Sequence, residues 1–244
     1  MDNIATTATR VCIVKYIALL LSTFLAMALQ AAEVDQFTHF GRAPLNDSAD
    51  LIDAEVERRI DLALQLANSP YPRRRPYKVH PMRKRPRCDE QRLYDSLRWY
   101  LARPVIGQVE TFAESAQDID RRRVDFKQSI YRDFPWQQSP CLVLSERLAA
   151  VIRIGNVEIG SDKLGHFFTE GASYFEITRR LSDSIESGLL FGDWSHSLSF
   201  VPQTTGVFSF PDLVANFFGL RFWYPILGRQ PDPLTGVLPK PFIV

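Results

Sequence analysis

Two stretches decide how this chain reads: Ser161-Asp162-Lys163-Leu164-Gly165-His166-Phe167, and Ser209-Phe210-Pro211-Asp212-Leu213-Val214-Ala215-Asn216-Phe217-Phe218-Gly219. Each begins with a residue suited to cap a helix and continues at helical spacing. In the first, Ser161 is the expected N-cap and Asp162 lies in the first turn, where a carboxylate favours the helix dipole. The helix is expected to run to about Arg179, with Arg179 and Arg180 at its end. Leu164, Phe167, Phe168, Gly171 and Phe175 form one stripe. Asp162, His166, Thr169, Glu170 and Ser173 form the opposite one.

The second stretch is greasier. Ser209-x-x-Asp212 resembles a capping box, with Asp in place of Glu, and Pro211 falls in the first turn, where it is tolerated. Leu213, Val214, Phe217, Phe218, Leu220 and Phe222 cover most of the circumference. Asp212, Ala215, Asn216 and Gly219 leave a narrow seam of small and polar residues, with Trp223 one turn beyond. Buried polar groups are nearly always paired. The seam is therefore expected to meet the polar face of the earlier helix, with His166 and Lys163 as the partners matched in kind.

A docked cluster of Asp162, His166, Glu170, Asp212 and Asn216 has three chemical meanings. It is a structural latch, a divalent-metal site built from imidazole and carboxylates, or an acid–base pair in which carboxylates tune His166. Asp162, His166 and Asp212 are the catalytic candidates. Lys163, Glu170, Ser209, Asn216 and Gly219 are the candidate binding residues. No His-x-x-x-His spacing, nucleophile elbow or phosphate loop occurs, so the sequence assigns no metal or cofactor. His39, His80 and His196 read as bystanders.

Outward from these helices, the N-terminus carries a targeting pattern. Arg10 and Lys15 precede an uncharged run from Tyr16 to Leu29, followed by Ala31 and Ala32. This is the order of a secretory signal peptide, here residues 1–31, and the run is short for a transmembrane helix. An exported, periplasmic chain, peripheral to a membrane at most, is the expectation. Cys12 falls within the signal. Cys88 and Cys141 remain, as a disulfide permitted outside the cytosol or as two buried thiols.

Residues 48–68 read as an amphipathic helix with Asp47 or Ser48 as N-cap and Ile52, Val56, Ile60, Ala63 and Ala67 on one face. Residues 71–88 form a proline-punctuated basic linker. Arg73, Arg74, Arg75, Arg83, Lys84 and Arg85 stand there without an acidic neighbour, although the whole chain has a net charge of only +1. The run is a solvated linker or a clamp for anionic lipid or another envelope polyanion. Nucleic acid is not the expected partner. Residues 89–102 resume helical spacing through Leu93, Leu97 and Leu101. A further helix is expected within 108–133, marked by Val109, Phe112, Ile119, Val124, Ile130 and Tyr131. Val151–Ile154 and Val157–Ile159 around Gly155-Asn156 suggest a small hairpin, against a helix continuing from Leu148. The tail from residue 229 reads as irregular. The fold class is mainly α: one helical core over 89–228, an N-terminal helical segment over 32–70, a small β-hairpin and an irregular basic connector.

The pattern Asp162-Lys163-x-x-His166-Phe167, followed by Ser209-x-x-Asp212-x-x-Ala215-Asn216-x-x-Gly219, resembles the signature of the VanZ-like and YfiM-like bacterial envelope proteins. The resemblance covers residues 161–223. It implies an envelope location and a helical core, with an association to glycopeptide-antibiotic resistance for some members and no settled activity. VanZ-like members span the membrane several times, whereas the helices here carry Glu170, Glu176, Arg179 and Arg221. Two functions follow: a non-catalytic envelope binding or scaffolding module, or an envelope enzyme acting on a lipid-linked or cell-wall substrate with His166 as general acid or base.

Overall fold

A computed structural model describes residues 43–69, 90–103, 107–137, 139–181, 185–194, 209–226, 231–232 and 234–238. The signal region, the basic linker with its six named cations, Cys88, His39, His80 and His196 lie outside these residues, as does the side chain of Cys141. The fold is mainly helical with one two-stranded antiparallel sheet.

Helix α1 (Ala49–Asn68) buries Ile52 and Ala63 against the core, with Val56 and Ile60 packed beside them. Its N-terminal amide is capped by Asp47: the Ala49 amide donates to Asp47 Oδ1 at 2.9 Å, while the Ser48 side chain makes no cap bond. Glu55 is also buried, held by Arg58 at 2.7 Å and Arg59 at 2.7 Å. Arg59 continues to Tyr100 O at 3.0 Å and Gln108 Oε1 at 3.1 Å, fastening α1 to the corner between α2 (Glu90–Leu101) and α3 (Gln108–Ser115). Leu97, Leu101, Val109 and Ala113 are fully buried in that corner.

Helix α3 is shorter than the periodicity of 108–133 suggests. It ends at Ser115, and Ile119, Val124, Ile130 and Tyr131 lie beyond it in irregular chain and a 3-10 turn over Phe126–Gln128. The physical reason is a competing set of partners. Arg121 donates to the Ala113 carbonyl at 3.1 Å and also to that of Ala116, satisfying the helix end. The Arg122 amide then donates to Val151 O at 2.9 Å and its carbonyl accepts from Val151 N at 2.8 Å. Of the apolar marks after Ser115, Ile119 joins the main core, Ile130 is exposed, and Val124 and Tyr131 belong to a second small cluster with Phe126, Leu142, Leu148, Val151 and Leu45. A short helix α4 (Pro140–Ser145), not anticipated from the sequence, closes that cluster.

The hairpin forms as β1 (Val151–Ile154) and β2 (Val157–Gly160), with Ile152 opposite Ile159 and Ile154 opposite Val157. Gly155 takes φ +61 in the turn, a conformation that costs L side chains and suits glycine. Both ends of β1 are engaged: Arg122 pairs with Val151, and the Ser48 amide donates to Arg153 O at 2.9 Å. Strand β2 runs directly into α5 (Asp162–Gly165), a π turn at His166–Glu170 and α6 (Gly171–Leu181). Helix α7 (Ile185–Trp194) then packs on α6, its Gly188 and Gly192 resting on Thr178 and Tyr174. Helix α8 (Phe210–Trp223) lies across the π turn and α6. Trp223, Leu220 and Ile226 are buried there with Phe168 and Phe175. Beyond it Arg221 holds Asp232 at 2.6 Å, tying a piece of the irregular tail to α8. No helix among the described residues is long and apolar enough to cross a membrane.

Candidate functional site

The α5–π–α6 segment is packed on two sides, and this is what brings its polar stripe indoors. Ser161 does not cap the helix. Its hydroxyl donates instead to Glu114 Oε1 on α3, while its amide donates to Ala150 O at 2.8 Å. The same Glu114 oxygen accepts from the Ala150 amide at 2.8 Å. These bonds fix the exit of β2 and set the direction of α5. The π turn then adds a residue to the helical count, so the wheel drawn at constant steps through residue 170 loses register. The Phe stripe and the polar stripe are both packed: Leu164, Phe168 and Phe175 are buried, and so are Asp162 and Lys163.

On the other side, α8 starts with its cap in place. Ser209 Oγ accepts from the Asp212 amide at 3.4 Å, and Pro211 occupies the first turn. The Asp212 carboxylate does not return the bond, as a full capping box would require. It is taken by the facing helix: Asp212 Oδ1 accepts from Lys163 Nζ at 2.5 Å and Asp212 Oδ2 from His166 Nε2 at 3.1 Å. Lys163 Nζ also donates to Asp162 Oδ2 at 2.7 Å. His166 Nδ1 meets Asn216 Oδ1 at 3.1 Å, and Asn216 Nδ2 donates to Tyr174 Oη at 3.1 Å. One polar chain therefore runs Asp162, Lys163, Asp212, His166, Asn216, Tyr174. Asp212 and Asn216 are 2% and 0% exposed, so the seam of α8 is sealed.

Close backbone approach makes these bonds reachable. A Cβ on Gly171 would lie 2.6 Å from the Gly219 carbonyl carbon, and one on Gly219 would collide with Phe167 O. Trp223 Nε1, two turns along from Asn216, donates to Phe168 O at 3.1 Å and anchors the far end.

The charges of the cluster follow from its burial and pairing. Burial alone would depress the His166 pKa, but the charge and hydrogen bond of Asp212 outweigh it and raise the group from 6.5 to about 9. His166 is an imidazolium at neutral pH, and both ring nitrogens donate: one to a carboxylate, one to an amide oxygen. For Asp212, burial pushes upward, yet His166 and Lys163 hold it well below the usual carboxylate range. Asp162 is raised, chiefly by burial, against the opposing charge of Lys163. Glu170 is also raised by burial, with His166 opposing. It feels His166 and Asp212 electrostatically while forming no hydrogen bond to either, so it borders the chain of bonds.

Three contributors escape the reading of the two motifs alone: Glu110, Glu114 and Tyr174. Glu110 lies over Gly165, close enough that a Cβ there would strike its carboxylate, and a Cβ on Gly107 would come within 2.8 Å of it. Burial, reinforced by the charge of Asp162, raises Glu110 to about 8. The signal for the two glutamates was present as an i, i+4 carboxylate pair beside the buried Val109 and Ala113. Tyr174 carried no such mark, because its alignment with Asn216 depends on the π turn.

Beside the cluster opens an apolar cavity of about 1000 Å³. Ile52 and Val56 of α1, Ile154 and Ile159 of the hairpin, and Phe167, Phe168 and Phe222 form part of its wall. Lys163 and Ser209 reach its surface, and Phe210, Val214 and Phe218 of α8 stand exposed at its rim. The class defined by fold and site is a mainly helical protein with a charged, hydrogen-bonded core between two helices and an apolar cavity against it. No protein-family model matches the chain, and no curated protein or solved structure matches it either.

Proposed function

We propose that this protein is a non-catalytic binding module of the bacterial cell envelope. In this reading the Asp162–Lys163–Asp212–His166–Asn216 chain is a latch that holds α8 against the π turn, and the neighbouring cavity receives a single acyl chain of an envelope lipid. The observation that carries it is the saturation of His166. Both ring nitrogens are engaged inside the protein, one by Asp212 and one by Asn216, which leaves the imidazolium no lone pair to act as a base and directs its N–H groups at protein oxygens. The cavity adds the ligand class. Its volume of about 1000 Å³ stands at the top of the range of about 300–1,000 Å³ for small-molecule pockets. Its walls are mainly apolar, with Asp53, Lys163 and Ser209 among the lining residues, a composition that suits an amphiphile. The resemblance of residues 161–223 to VanZ-like and YfiM-like proteins supports the envelope location, and the signal-peptide pattern of residues 1–31 supports export. The basic linker, through Arg73, Arg74, Arg75, Arg83, Lys84 and Arg85, would then rest on anionic headgroups.

Titration of the purified protein with a fluorescent long-chain fatty acid tests the acyl site. Saturable binding is expected, competed by unlabelled fatty acid and weakened at least tenfold by Val56→Asp, which places an unpaired charge on the cavity wall. Non-saturable binding, or binding unchanged by Val56→Asp in a folded protein, would contradict the reading.

The enzyme reading draws on one observation, the Glu110 carboxyl that burial raises to about 8 next to a cavity. Its signature would be a Glu110→Gln variant that keeps full stability and acyl binding while losing a cellular function.

A further inference from the structure

Among the described residues three buried side-chain oxygens have no partner, Ser139 Oγ, Thr169 Oγ1 and Asp162 Oδ1, and of these only Asp162 Oδ1 belongs to a carboxyl group. Asp162 is 5% exposed; its Oδ2 accepts from Lys163, but its Oδ1 is buried and without a hydrogen bond among the described residues. A buried carboxylate oxygen left bare is costly, and such an atom in a native core calls for an explanation such as an ion or ordered water. Its surroundings are those of an ion site. Asp162, His166 and Asp212 each offer a ligand atom, and the three atoms lie within 4.8 Å of one another. Two ligand atoms bound tetrahedrally at about 2.1 Å from one ion stand about 3.4 Å apart. His166 Nε2 and Asp212 Oδ2 are already 3.1 Å apart.

The outer contacts match as well. Metal-bound imidazoles nearly always direct the second ring nitrogen at a carbonyl or carboxylate oxygen, and metal-bound carboxylates are themselves hydrogen-bonded. Here His166 Nδ1 faces Asn216 Oδ1, whose own amide nitrogen is fixed by Tyr174. Lys163 donates to the remaining oxygens, Asp162 Oδ2 and Asp212 Oδ1.

We propose that Asp162 Oδ1, His166 Nε2 and Asp212 Oδ2 bind one zinc-like divalent cation that joins the two helices. The ion takes the position of the proton between His166 and Asp212, which leaves to solvent as His166 becomes a neutral ligand. One imidazole and two carboxylates suit a first-row transition ion better than calcium or magnesium. Three protein ligands leave the fourth position to water. The proposal is independent of what occupies the apolar cavity.

The test uses the full chain, stripped with EDTA and titrated with Zn²⁺ by calorimetry. One equivalent is expected, with Asp162→Asn lowering the affinity at least tenfold while Asp118→Asn leaves it unchanged. Should Asp162→Asn fail to fold, ¹⁵N-histidine NMR of the wild-type chain replaces it: one of the four imidazoles should change from two protonated nitrogens to one metal-bound nitrogen when Zn²⁺ is added. No stoichiometric binding, binding unaffected by Asp162→Asn, or an unchanged imidazole spectrum at saturation would each overturn the proposal.

Discussion

His166 and Asp212 form a charge pair at the helix contact, Asp212 sealed at 2% exposed and the His166 side chain half-buried at 23%. Removing His166 leaves the buried Asp212 carboxylate with Lys163 as its cationic partner and one oxygen deprived of its donor. His166→Ala should therefore cost about 3 kcal/mol, the lower end of the range for breaking a buried ion pair, read from urea unfolding. The pH dependence has a definite sign. His166 is raised from 6.5 to about 9 in the folded state, so its stabilisation is complete below the unfolded value and is lost as pH rises through 9. Glu110, raised from 4.5 to about 8, acts in the same direction: ionising it in the folded state is unfavourable over that window. Asp212, held low, gives stability present above 3.8 and lost only in stronger acid. In metal-free buffer the urea midpoint should fall between pH 7 and 10, and His166→Ala should lose much of that slope. A midpoint rising over this interval would contradict the charge assignment.

The helices meet where glycine lets them. Gly219 against Phe167 O and Gly171 against the Gly219 backbone leave no space for a methyl group. Gly219→Ala should force α8 from the π turn, stretch the His166–Asp212 and Asn216 bonds together and cost about 3 kcal/mol, the upper end of the usual overpacking penalty. Gly236→Ala has open space around it but φ +65, and should cost only about 1 kcal/mol. Equal effects in the two variants, measured by thermal unfolding, would count against close packing as the reason for the α8 glycine.

This is also the scale at which the sequence was most and least informative. The α8 seam was readable because its few polar and small residues stand out in a greasy helix, and the hairpin because Gly155-Asn156 separates two β-rich runs. Val124 and Tyr131 read as marks of a longer α3 because they keep roughly helical spacing, while they serve a different cluster. The Ser161 cap failed because Glu114, remote in sequence, competes for the hydroxyl. The π turn has no composition that marks it, so everything that depends on it, Tyr174 above all, was hidden.

In the whole molecule, α1 is not an appendage to the later helices. Ile52 and Ala63 belong to the same buried cluster as Leu97, Leu101, Phe175 and Trp223, and Arg59 and Arg92 bond to backbone carbonyls across the α1–α2 contact. The apolar cavity also takes part of its wall from α1. The described core should therefore unfold as one unit. Leu97→Ala in α2 should lower stability by about 2–5 kcal/mol with far-UV circular dichroism and tryptophan fluorescence still coincident. Separate transitions for the two probes would mean that α1 or the hairpin region is an independent unit.

The account rests on the protonated His166 held between Asp212 and Asn216. ¹⁵N-histidine NMR of the metal-free chain, titrated with pH and assigned by His166→Ala, measures that state directly. The structure predicts an imidazole that keeps both protons through neutral pH and titrates near 9. A His166 midpoint at or below the ordinary value of 6.5 would mean that the imidazole does not sit against the Asp212 carboxylate, and the latch between the two helices would not exist.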